Sequence, residues 1–120
     1  MTQTDVTIDS SLIATPNDVP VVQGNTFTIT ADETDATLFF SRDCQSLLSP
    51  APAASVALAE GDTLTFTFTT SRSANYMIVV AGDPNAHVHF LPIKSTTLTI
   101  TTFIHSTRGS AGPSNQLQGQ

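Results

Sequence analysis

The 120-residue chain is long enough for one domain with a buried core and short for two. Only 12% of it is Asp, Glu, Lys or Arg, and 39% is apolar, which excludes a charged disordered chain; no apolar run approaches the roughly 18 to 20 residues of a membrane helix. Ten acidic residues against four scattered basic ones (Arg42, Arg72, Lys94, Arg108) leave a formal charge of −6, which argues against nucleic-acid and anionic-membrane partners, since both need a concentrated positive footprint.

Period-two alternation of apolar and polar residues recurs along the chain, and the helical period is nearly absent. Asp5 to Ser10 predicts a strand with Val6 and Ile8 inward. Val19 to Val22 predicts a short one, with Pro20 at an edge or strand start where no ladder amide is needed. Gly24-Asn25 turns the chain into Thr26 to Thr30, with Phe27 and Ile29 inward, and Thr37 to Ser41 follows the acidic stretch ADETDA. In SRDCQSLLSPAPAAS, Pro50 and Pro52 stop any regular element, leaving a crossover with one helical turn around Cys44 to Leu48.

Ser55 to Ala59 leads through Glu60-Gly61-Asp62 into the long strand TLTFTFTT, Thr63 to Thr70. YMIVV, Tyr76 to Val80, is continuously apolar and predicts a central strand covered more completely than its neighbours. HVHFLPI, from His87 to Ile93, and STTLTITTFIH, from Ser95 to His105, predict the last two strands. From Thr107 the chain offers almost nothing to bury, so residues 1–106 are expected to form the domain and 107–120 a flexible C-terminal tail.

An internal echo supports this parsing. VPVVQGNTFTIT at Val19 to Thr30 matches VALAEGDTLTFT at Val56 to Thr67, 37 residues further on, each with a glycine before a threonine-rich strand. The reading is all-β: a single antiparallel β-sandwich, immunoglobulin-like or jelly-roll-like with Greek-key connections, and a small closed barrel as the second architecture. The expected inner faces carry Val6, Ile8, Phe27, Ile29, Leu38, Phe40, Leu64, Phe66, Phe68, Met77, Val79, Leu98 and Ile100.

Two surfaces carry candidate chemistry. Thr63, Thr65, Thr67 and Thr69 alternate with Leu64, Phe66 and Phe68, and the chain holds 20 threonines in all. If TFTIT, TLTFTFTT and TTLTITT pair in one sheet, their hydroxyls and methyls make a flat amphipathic array suited to a glycan, a repeating solid surface or an identical subunit; if they divide between sheets, the array is lost. Threonine's strand propensity and solubility alone also account for the pattern. The function expected is a non-enzymatic binding or self-assembly module, a homo-oligomer or carbohydrate binder, with no cofactor.

The alternative is a mononuclear metal protein or metalloenzyme. His87 and His89 would share a face of one strand, and His105 follows within reach, so that the imidazoles could hold a divalent metal. Gly82 to Phe90, GDPNAHVHF, resembles the first half of a cupin metal motif over those nine residues, without the carboxylate that the motif carries after the second histidine. Cys44, His87, His105 and Met77 supply the atom types of a blue-copper site, in the wrong chain order. Asp32, Glu33 and Asp35 offer one side of a calcium site. The lone Cys44 excludes an intrachain disulfide and reads as a free, partly buried thiol. MTQTDVTIDS has no leader pattern, making the cytoplasm the default location, with secretion compatible with prior removal of a leader.

Overall fold

The computed structural model describes residues 2–90 and 92–103. Strands β1 (Gln3–Ile8), β2 (Ala14–Thr15), β3 (Asp18–Pro20), β4 (Thr26–Ala31) and β5 (Ala36–Phe40) precede a helix, α1 (Arg42–Leu47). After it come β6 (Leu48–Ser49), β7 (Ser55–Leu58), β8 (Thr63–Phe68), β9 (Met77–Ala81) and β10 (Thr97–Thr102). They form two five-stranded sheets: a front sheet ordered β2-β1-β4-β8-β6 and a rear sheet ordered β3-β10-β9-β5-β7. The all-β sandwich expected from the alternation is the architecture, and the expected tail from Thr107 lies outside the described residues.

The β4–β8 pair shows why these residues form these strands. Phe27 and Ile29 on β4, and Phe66 and Phe68 on β8, are at most 4% exposed, while threonines take every intervening position. Phe27 packs against Phe66 and Phe68 with ring centroids 5.5 and 5.2 Å apart, and Phe66 meets Phe40 of the rear sheet edge-on at 5.7 Å. Each ring buries a large apolar area, and the offset and edge contacts add to it.

Both ends of the pair are closed by the glycines of the sequence echo. Gly24 and Gly61 have φ of 90° and 89°, a conformation costly for side chains with a Cβ. Asn25 N–H donates to the Val22 carbonyl at 3.0 Å, and Asp62 N–H to the Ala59 carbonyl at 2.9 Å. Gly24 N–H then reaches the Phe68 carbonyl and Gly61 N–H the Ala31 carbonyl, with Phe68 N–H returned to Asn25 and Ala31 N–H to Asp62. Every one of these bonds has its counterpart 37 residues away. The echo is thus a local two-fold, centred on the facing residues Thr28 and Thr65. At each end a glycine and its successor oppose one residue, the arrangement of a glycine bulge.

Three expectations need correction. Two pairings are parallel, β1 with β4 and β9 with β10, so neither sheet is purely antiparallel. HVHFLPI forms no strand among its described residues. The reason is the parallel pairing itself: neighbouring parallel strands need a long crossover, and the chain between Ala81 and Thr97 must return the length of the sheet. The front sheet occupies the inner side, so the return passes over the outer side of the rear sheet. Its alternation survives as half-buried Val88 and Phe90 against exposed His87 and His89. Finally, Ile78 and Val80 face the shared core with Leu38, Phe40 and Ile100, whereas Met77 and Val79 lie on the covered outer side. Both parities of β9 are buried, and for that reason its alternation was unreadable.

Nothing lies within 4 Å of the position a Cβ would take on Gly61, so a substitution there tests backbone conformation alone. Gly61→Ala should lower the unfolding free energy by about 1 to 2 kcal/mol, with Gly61→Asn costing less. Urea unfolding midpoints measure both.

Candidate functional site: the threonine face of the front sheet

Bulges at both ends of β4–β8 set which residues exchange ladder bonds. Asn25 with Phe68 and Ala31 with Asp62 are hydrogen-bonded positions, so Phe27–Phe66 and Ile29–Leu64 are as well, by alternation. Thr26–Thr67, Thr28–Thr65 and Thr30–Thr63 are the other class, whose Cα atoms approach to about 4.5 Å and whose side chains are closest. Thr30 and Thr63 join hydroxyl to hydroxyl at 2.7 Å.

Strand registers extend these pairs into three rows on the outer face. One row runs Gln3, Thr26, Thr67, Ser49; the next Asp5, Thr28, Thr65; the third Thr15, Thr7, Thr30, Thr63. All are exposed or half-buried. Rows follow every second residue, about 7 Å along the strand, and neighbours within a row stand about 4.8 Å apart. No aromatic side chain belongs to any row.

The sole carboxylate in these rows, Asp5, is bound into them. Its Oδ1 accepts from Gln3 Nε2 at 2.9 Å and from Thr28 Oγ1 at 3.0 Å, and these bonds, Gln3 first, hold its pKa below the ordinary carboxylate value. Thr26 Oγ1 donates to Gln3 Oε1 at 3.3 Å. The hydroxyls of Thr7, Thr15, Thr65 and Thr67 have no partner among the described residues and face outward for a ligand or water.

Of the four threonines singled out on TLTFTFTT, Thr63, Thr65 and Thr67 stand in the array. Thr69 does not: it lies beyond the end of β8, and its Oγ1 donates to the Leu47 carbonyl at 2.6 Å, holding the end of α1. TFTIT and TLTFTFTT share the front sheet, whereas Thr97, Thr99 and Thr101 belong to the rear sheet and are half-buried on its outer side. Thr7, Thr15, Gln3, Asp5 and Ser49 were not anticipated as members of the face. Their outward parity is readable on β1, but the parallel register beside β4 is a long-range pairing without a turn signal.

The metal candidates do not come together among the described residues. His87 and His89 are exposed on the crossover, and His105 lies outside the described residues. No group of three or more His, Cys, Asp or Glu side chains there could hold an ion. Glu33 accepts from Ser10 N–H and Asp35 from Glu60 N–H, both at 2.8 Å, so these carboxylates fasten neighbouring loops. Cys44 is fully buried on α1, its Sγ 3.4 Å from the Met77 carbonyl. Burial pushes its thiol from 9.0 up to about 11.

Compared with known proteins, the chain matches no family model, and no curated protein or solved structure is significantly similar to it. No described helix is long and apolar enough to cross a membrane.

Two predictions follow the titrating groups. Because the folded thiol of Cys44 is the weaker acid, the unfolded chain loses this proton first; unfolding free energy should fall as pH rises from 9.0 to about 11 and level off beyond, and Cys44→Ala should flatten that slope. Chemical denaturation across that range measures it. In the second, Thr28→Val should raise the Asp5 pKa toward its ordinary value by removing one of its donors, as a carboxyl NMR titration would record.

Proposed function

We propose that the protein is a non-enzymatic binding module that takes a flat, hydroxyl-rich partner on the threonine face of its front sheet. The best-fitting ligand class is an extended polysaccharide; a second copy applied to the same face is the self-assembly form of this reading. The observation that carries it is the union of the β1, β4 and β8 outward rows in one sheet whose outer face is open among the described residues, while the outer side of the other sheet buries Val79 and Ala81. Hydroxyls there donate and accept, methyls offer small apolar contacts, and the one carboxylate is already hydrogen-bonded. Without an aromatic ring to stack on a single sugar, affinity has to come from many weak contacts repeated along a chain.

The test is retention on a panel of soluble and insoluble polysaccharides, together with the double variant Thr28→Lys and Thr67→Lys. Both positions are on the solvent side of their strands, so the melting temperature should change little while binding is lost. Retention that survives the double substitution, or a protein that neither binds any polysaccharide nor shows face-dependent association, overturns the reading.

A further inference from the structure

The front sheet ends unevenly. On the β4 side, every position of β8 from Thr63 to Thr67 has a facing residue, but on the other side β6 covers only Thr67 and Phe68. Pro50 follows Ser49 directly and has no N–H to continue a ladder, and the chain then leaves for β7 in the rear sheet. Alternation determines what is left open. Leu64 and Phe66 direct their N–H and C=O groups to β4, so Thr63 and Thr65 direct theirs away from it, and neither meets a backbone partner among the described residues. These groups form a short edge of unpaired donors and acceptors in a segment free of charge, proline and bulge, the features that usually protect an edge.

We propose that this edge of β8 pairs antiparallel with the same edge of a second copy of the chain, about a two-fold axis at Leu64. The identity of the partner follows from self-complementarity. In this register Thr63 faces Thr65 of the second copy and the reverse, so each pair exchanges N–H···O=C bonds in both directions. Asp62 then faces Phe66 of the other copy, and no carboxylate opposes its own equivalent despite the charge of −6 per chain. The limits of the edge agree with the same axis: Thr67, held by Ser49, would face Gly61 of the second copy, where that chain has already turned out of its strand. Centring the axis on Thr65 instead would drive Thr63 of the second copy into the place of Ser49. TLTFTF, uncharged and rich in strand-forming residues, is the kind of segment that pairs with its own kind. The edge strand β7 of the rear sheet, SVAL, contains two weak strand formers.

Directly opposed residues of an antiparallel pair share a face, so the second copy would place its threonine rows beside the first on one continuous surface. The proposal does not depend on what that face binds.

Sedimentation of the full chain over a rising concentration series, at low and moderate salt, tests it. The wild type should form a dimer, favoured by salt that screens the like charge. Thr65→Pro removes an outward N–H without breaking the bond of any residue to β4, and should abolish the dimer while keeping a β-type circular dichroism spectrum. Thr65→Val keeps the N–H and should leave the dimer intact, whatever it does to polysaccharide retention. Should the proline variant fail to fold, amide exchange decides: the Thr63 and Thr65 amides of the wild type should become protected with dimer formation. A wild type monomeric throughout, a dimer unaffected by Thr65→Pro, or a dimer whose Thr63 and Thr65 amides exchange freely overturns the proposal. A dimer with no polysaccharide retained would instead count only against the face.

Discussion

The antiparallel pairing of β4 with β8 is the constraint on which the rest of the molecule hangs. Its inward row brings Phe27, Phe66 and Phe68 into ring contact, and Phe66 carries that contact across to Phe40 in the rear sheet. Its outer flanks receive β1 on one side and β6 on the other. The two glycine turns leave it no freedom of register, and since side chains alternate with a period of two, a slip of one residue would bring the threonines inward and the rings out. The threonine face is therefore a consequence of the same alternation that builds the core, held in place by aromatic burial on the opposite side.

The two outer faces of the sandwich have different fates for a topological reason. Pairing β9 parallel to β10 obliges the connecting chain to pass over the rear sheet, which explains why Val79 and Ala81 are each only 1% exposed although they point away from the shared core. The front sheet has its own parallel pair, β1 with β4, but the intervening chain is spent on β2 and β3, at the edges of the front and rear sheets, and among the described residues the front face is left open. An open face of hydroxyls and a covered face of aliphatics thus arise from two versions of one pairing.

The acidity of the chain also finds a structural use. Asp9 accepts from the amides of Ser11 and Ile13, Glu33 from Ser10, Asp35 from Glu60, Asp43 from Asn75 and Asp83 from Asn85. Carboxylates at these places satisfy amides that no ladder reaches, a role ordinary for Asp and Glu in turns and loops. Of the acidic stretch around Asp32, Glu33 and Asp35 act as loop fasteners.

What the sequence by itself determined was local: the strands of the TFTIT, TLFFS and TLTFTFTT segments, the inward parity of Val6, Ile8, Phe27, Phe66, Leu98 and Ile100, the glycine turns at 24 and 61, and the short helix at Cys44. Each depends on neighbours a few residues away, through alternation, turn chemistry or the breaking effect of proline. Only the tertiary structure decided which strands lie side by side. It assigned TTLTITT to the opposite sheet, added Thr7 and Thr15 to the threonine rows through registers that no turn encodes, and withdrew Thr69 to hold the carbonyl of Leu47. It also left the described residues of HVHFLPI, as regular a pattern as any strand, on the connection between β9 and β10 and outside both sheets. Alternation records that one side of a segment is covered; whether hydrogen-bonded neighbours flank it is set by chain connectivity, and that is a property of the whole fold.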